Sequence, residues 1–143
     1  MRIGIDAMGG DYAPLEAIKG AVLAKAEFPS VELVMFGVQS DIENIASQEN
    51  LDLSDLTIVH CSQVIEMSEH PVKALAGKRD SSISVGFEYL ADKKIDAFFS
   101  AGNTGAMLVG SIQILKPIEG VDRPCLTSAI PRPSGKAGVL LDV

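Results

Sequence analysis

Tryptophan is missing from this chain, and aromatic residues of any kind make up only 5% of it, so a core must be built from aliphatic side chains. Cations are also scarce. Twelve lysines and arginines stand against 19 aspartates and glutamates, and the formal charge of −7 argues against a nucleic-acid-binding surface. Two cysteines, Cys61 and Cys125, are too few for a disulfide scaffold. Both fall in or beside predicted strands, where buried, inert thiols of a reduced cytosolic protein are expected. The two histidines, His60 and His70, have no Cys or His partner at ligand spacing, so no metal motif is present. No apolar run reaches the length of a membrane span, and the N-terminus enters a strand with no signal peptide, which together read as a cytoplasmic protein. Neither G-x-G-x-x-G nor G-x-x-x-x-G-K-[ST] occurs, which counts against a Rossmann dinucleotide site and a nucleotide-hydrolysing P-loop.

What is present is an alternation of short apolar runs with helical periodicity. Strands are expected at Arg2–Asp6, Val31–Gly37, Leu56–Cys61, Ile95–Ser100, Leu126–Ile130 and Ala137–Val143. A helix follows Pro14, with Leu15, Ile18, Ala21, Val22 and Ala26 on one face. Ser40 is expected to cap a second helix through Gln48. A short helix is read at Val72–Gly77, one from Ser81 or Ser82 to about Lys93, and one over Thr104–Leu115. Continuous apolar strands alternating with helices predict an α/β fold, an open and mainly parallel sheet covered on both faces. The last two strands lack an intervening helix and are expected to form a hairpin around Pro131–Lys136. The 143 residues suffice for a single α/β domain. The ending Leu140-Leu141-Asp142-Val143 lies inside an apolar strand, which reads as part of a longer chain.

Two turns carry the chemistry. Asp6-Ala7-Met8-Gly9-Gly10-Asp11 follows the first strand, and Ser100-Ala101-Gly102-Asn103-Thr104-Gly105-Ala106 follows the fourth. Ligands of open α/β sheets bind beyond the carboxyl ends of the strands. Glycines let a backbone approach an anion closely, and helix starts leave N–H groups unpaired. Gly9, Gly10, Gly102, Thr104 and Gly105 are therefore candidates for binding phosphate or an oxyanion, and Asn103 for a catalytic donor. Lys78 and Arg79, just before a helix start, are candidates to add positive charge. Asp6 and Asp11 are either catalytic carboxylates or, respectively, a loop tie and a helix cap. His70 reads as an exposed loop histidine.

Taken together, the opening Ile5–Asp11 with Ala13-Pro14, the Ser100–Ala106 loop, the stretch Pro71–Ser82 and the terminal Leu140–Val143 resemble the bacterial phosphate acyltransferases of the PlsX family, along essentially all 143 residues. The opening motif and Ala-Gly-Asn-Thr-Gly-Ala are specific as a pair. The resemblance implies a protein more than twice this long, with a sheet like that of phosphotransacetylases and isocitrate dehydrogenase-like enzymes. It implies transfer of a fatty acyl group from acyl carrier protein to inorganic phosphate, giving acyl phosphate for phospholipid synthesis. It also implies a homodimer, no cofactor, no nucleic acid and peripheral association with membrane acyltransferase machinery. Competing readings are an acetyl-CoA-type phosphotransacetylase, an isocitrate dehydrogenase-like oxidoreductase, and a non-catalytic module that binds phosphate or acyl chains. Phosphate is already an anionic nucleophile, so the task is to position it against the thioester and stabilise an oxyanion. Asp6 and Asp11 then either orient donors, the favoured role, or share a proton with phosphate. Lys73, Lys78, Arg79, Arg132 and Lys136 are candidates to meet the acidic carrier.

Overall fold

The computed structural model describes residues 1–133 and 135–141. Along the chain it contains β1 (Arg2–Asp6), α1 (Leu15–Glu27), β2 (Glu32–Gly37), α2 (Gln39–Glu49), β3 (Leu56–His60), α3 (Pro71–Gly77) and α4 (Ser82–Ala91). There follow β4 (Ala97–Phe99), α5 (Thr104–Gly110), a π-helical segment Ser111–Leu115, β5 (Thr127–Pro131) and β6 (Ala137–Leu141). The expected ends of the last strand, Asp142 and Val143, and Ser134 of the connector lie outside the described residues.

β1 to β4 form one parallel sheet in the order β3-β2-β1-β4. β5 and β6 pair with each other, antiparallel, as the expected hairpin. Side chains alternate across a strand, so one sheet feeds two cores. Leu33 and Met35 of β2 point to the face covered by α1 and α2, where they bury Ile18, Ala21 and Ile42. Val34 and Phe36 point to the other face, with Cys61 and Ile95 under α4. There the Phe36 ring stands edge-on to Tyr89 at 5.0 Å and to Phe98 at 5.8 Å. Phe98 also meets Phe87, which joins this core to one built from Ile65, Leu75, Ile83 and Ala106. Phe36, Phe87, Tyr89 and Phe98 thus form one aromatic cluster where α4 covers the sheet, while Tyr12, Phe28 and Phe99 are exposed.

The helix boundaries differ from expectation where distant residues intervene. Ser40 does not cap α2: the helix begins at Gln39, and the Gln39 N–H donates to His60 Nδ1, 3.2 Å away at the end of β3. Pro71 itself opens α3. Ser81 caps α4, accepting from Ser84 N–H, and α4 stops at Ala91, before Lys93 turns left-handed at φ 58°. The helix expected over Thr104–Leu115 is α-helical only to Gly110. The widening begins at Ser111, whose hydroxyl donates back to the Leu108 carbonyl at 2.7 Å.

Candidate functional site

The strand order places the site. The chain runs β1, β2, β3 outward in one direction, then returns to add β4 on the other side of β1. The turn after β1 leads to α1 on one face of the sheet, and the turn after β4 leads to α5 on the opposite face. The two turns must therefore diverge from neighbouring strand ends, and the gap between them is a topological switch point. Both glycine-bearing sequences border it.

Their approach is close. A β-carbon on Gly9 would stand 2.6 Å from the Gly102 nitrogen, 2.6 Å from Asp6 Oδ2 and 2.9 Å from Ser100 Oγ. Only a residue without one fits there. Gly10 has φ 108°, a conformation open to glycine and strained for other residues, and it swings the chain away toward α1. Between the turns lies a cavity of about 470 Å³ lined by Ile5, Asp6, Gly9, Gly10, Asp11 and Tyr12, by Ala13, Glu16 and Ala17 of the α1 entry, and by Phe99, Ser100 and Ala101. The backbone N–H groups of Gly9, Gly10 and Asp11 have no hydrogen-bond acceptor among the described residues. They are free to donate to solvent or to a bound anion.

The buried Asp6 carboxylate ties this turn together. Its Oδ1 accepts from Met8 N–H at 3.0 Å, and its Oδ2 accepts from the Ser100 hydroxyl at 2.6 Å. Ser100 Oγ in turn accepts the Gly102 N–H at 3.0 Å. Gly102 lies at the junction, but its amide is engaged there. Ser100 was not among the candidates read from sequence; serine beside a small-residue loop carries no signal until its partner 94 residues away is known.

Asn103 is buried and its side chain is used within the protein. Its Oδ1 accepts from Ala106 N–H at 2.9 Å, capping α5, while Nδ2 lies 3.0, 3.4 and 3.1 Å from the carbonyls of Glu66, Met67 and Glu69. The expected catalytic donor is therefore an anchor for the segment 66–69, and its side chain has no donor left for an oxyanion. Thr104 and Gly105 open α5 with unpaired N–H groups, but neither lines the cavity. Gly105 instead abuts Pro71 of α3, leaving no room for a β-carbon.

The two expected cations are elsewhere. Lys78 Nζ donates to the Val64 carbonyl and to Glu69 Oε2, both at 2.6 Å, and so clamps the same segment that Asn103 holds. This Lys78 hydrogen bond, helped by the Glu66 N–H, holds the Glu69 carboxyl below its ordinary range. Exposed Arg79 lines a separate groove of about 210 Å³ with Ser84, Glu88 and Gln113. Asp80 is likewise held low, by the Ser62 hydroxyl and then the Ser62 N–H. His70 is exposed. Among the described residues lining the main cavity there are three carboxylates, Asp6, Asp11 and Glu16, and no lysine or arginine. Lys19 lies 3.9 Å from Glu16 and 3.0 Å from Glu49.

Burial pushes the Cys61 thiol up to about 12, with nearby Asp80 adding to the effect, so it is an inert core group. Among the described residues no group of three or more His, Cys, Asp or Glu is placed to hold a metal ion. No described helix is long and apolar enough to cross a membrane.

The family model described as "Fatty acid synthesis protein" matches residues 1–143. The phosphate acyltransferase of Caldicellulosiruptor bescii is 48% identical over 143 residues, covering all of this chain and 42% of that protein. The phosphate acyltransferase of Thermoanaerobacter pseudethanolicus is 45% identical over 142 residues, covering 99% of this chain and 41% of that protein. The chain thus spans about two-fifths of the length of the curated relatives it matches. Among solved structures, a phosphotransacetylase from Streptococcus pyogenes superposes with a TM-score of 0.68 at 18% identity, over 97% of this chain and 45% of that one. The EutD phosphotransacetylase from Staphylococcus aureus gives 0.59 at 18% identity, over 97% of this chain and 44% of its own. At that identity the likeness is one of fold.

Proposed function

Because the chain belongs to the fatty acid synthesis protein family, we propose that it is the part of a phosphate acyltransferase that seats inorganic phosphate at the β1/β4 switch point. The reaction is attack of a phosphate oxygen on the thioester carbonyl of an acyl carrier protein. It yields acyl phosphate and the free carrier thiol, a step toward phospholipid. The single observation that carries the reading is the close approach of Gly9 and Gly102 beside a cavity lined by both turns, where the Gly9, Gly10 and Asp11 N–H groups have no protein acceptor among the described residues.

The roles divide by charge. Phosphate brings its own nucleophilic oxygen, so this crevice has to hold and orient it. Backbone amides do this without a competing proton. Asp6, with both oxygens engaged by neutral donors, orients the turn rather than touching phosphate. The rim carboxylates Asp11 and Glu16 repel a dianion. The compensating cation is therefore assigned to the part of the longer protein outside this chain, and with it the closed cleft. The exposed cations Lys73, Arg79, Arg132 and Lys136 are assigned to contact with the acidic carrier, an interaction that salt weakens. The longer enzyme is taken as a cytoplasmic homodimer that meets the membrane acyltransferase machinery peripherally, since its amphiphilic product is consumed there; family resemblance supports this part.

The test is a thiol-release assay on the full-length protein with acyl carrier thioester. Release that saturates with added phosphate is expected. Release independent of phosphate, or none, overturns the reading, and a preference for acyl-CoA over acyl carrier favours a phosphotransacetylase instead.

A further inference from the structure

Ser100 sits one residue beyond the last β1–β4 partners, Ile5 and Phe99, directly across from Asp6. From that register its hydroxyl reaches both turns at once. It donates to Asp6 Oδ2 at 2.6 Å and accepts from Gly102 N–H at 3.0 Å, while Asp6 Oδ1 accepts from Met8 N–H at 3.0 Å. The chain of bonds runs from the Gly102 amide through the serine hydroxyl and the carboxylate to the Met8 amide. Among the described residues only the Ser100 and Asp6 side chains are hydrogen-bonded to both glycine turns, and they are bonded to each other.

We propose that Ser100 is a positioning residue for phosphate: its hydroxyl latches the β4–α5 turn to the β1–α1 turn and so fixes the direction of the Gly9–Asp11 amides. This rests on the phosphate reading above and adds a residue to it. The latch has a defined polarity. A carboxylate accepts and an amide N–H donates, so the group between them must do both, which a hydroxyl does and a methyl does not. It also lies beside the cavity without supplying a charge, which suits a residue that aims other donors. Without it the Asp6 Oδ2 loses its donor, the Gly102 amide loses its acceptor, and the packed glycines are held only by contact.

The test compares Ser100→Ala and Ser100→Thr in the full-length protein by steady-state kinetics and by hydrogen exchange of peptides covering 7–12 and 101–105. In Ser100→Ala the KM for phosphate should rise by about tenfold or more, with the KM for acyl carrier within about twofold, because a small misplacement of a bound reactant is felt at that reactant. Exchange should quicken in both peptides. Ser100→Thr, which keeps the hydroxyl, should stay within about twofold of the unsubstituted protein in both readouts. A folded Ser100→Ala with unchanged exchange across the gap at 7–12 overturns the latch whether or not the protein turns over. Parallel rises in both KM values overturn it as well, as does a Ser100→Thr variant that loses phosphate affinity. If Ser100→Ala fails to fold, the threonine variant alone decides. Absence of phosphate-dependent turnover in the unsubstituted protein would count against the reaction and leave the exchange result to judge Ser100.

Discussion

Gly9 and Gly102, from turns far apart in the sequence, pack backbone to backbone, with a β-carbon at Gly102 falling 3.2 Å from Gly9 Cα. The consequence is asymmetric. At Gly9 the added carbon meets the Gly102 nitrogen and Asp6 Oδ2, each at 2.6 Å, and neither can swing aside. Gly9→Ala should therefore cost about 1–3 kcal/mol of stability by overpacking, and acyl-phosphate formation should fall by about tenfold or more as the turns separate. Thermal unfolding and turnover of the full-length variant check this; an alanine accepted without loss in either would mean the turns do not pack as described.

Asn103 should behave as a structural anchor. Asn103→Asp keeps an oxygen for the Ala106 N–H and turns Nδ2 into a charged oxygen facing the carbonyls of Glu66, Met67 and Glu69. It should destabilise by about 1–3 kcal/mol, the range for buried polar groups left unsatisfied. Hydrogen exchange should rise over 64–70. Protection retained there alongside lost activity would return Asn103 to a direct role in chemistry.

The Glu69–Lys78 clamp should weaken in acid. Glu69 titrates below its ordinary range because of Lys78, so its contribution is present above the usual glutamate value and is lost as pH falls through the lowered one. Proteolysis within 64–70 should accelerate in that acidic window. Lys78→Met should make cleavage faster at neutral pH and weaken its pH dependence, leaving the share owed to the Glu66 N–H. An unsubstituted protein with no acid acceleration would contradict the clamp.

The two thiols should be distinguishable by reagent. Cys125 is exposed, whereas Cys61 is buried and its thiol is pushed up to about 12. Alkylation of native protein near pH 8, followed by mass spectrometry, should mark Cys125 fully before Cys61 reacts, and unfolding should equalise them.

Much of the fold could be read from the chain because local chemistry decided it. The strand expected at Arg2–Asp6, with Ile3 and Ile5 at its centre, matches β1, and the Ile18–Ala21 face of α1 follows from helical spacing. The glycine turns were legible for the same reason. What the sequence did not carry was the identity of partners. Asn103 looks like a donor awaiting a ligand until the carbonyls 34 to 37 residues before it come into place. Lys78 looks like free charge until Glu69 is found 9 residues away. The start of α2 depends on His60, 21 residues on. Ser100 acquires its importance only because β4 pairs with β1, a choice of sheet order that no local pattern encodes.

Location of the anion is the most direct test. Crystals of the full-length protein soaked in arsenate, a phosphate analogue with a strong anomalous signal, would report its site without reference to turnover. The arsenic peak should lie between the two turns, within hydrogen-bonding distance of the Gly9, Gly10 or Asp11 nitrogen. A fully occupied peak in the Arg79 groove or along 64–71, with the β1/β4 crevice empty, would contradict the placement of phosphate at the switch point.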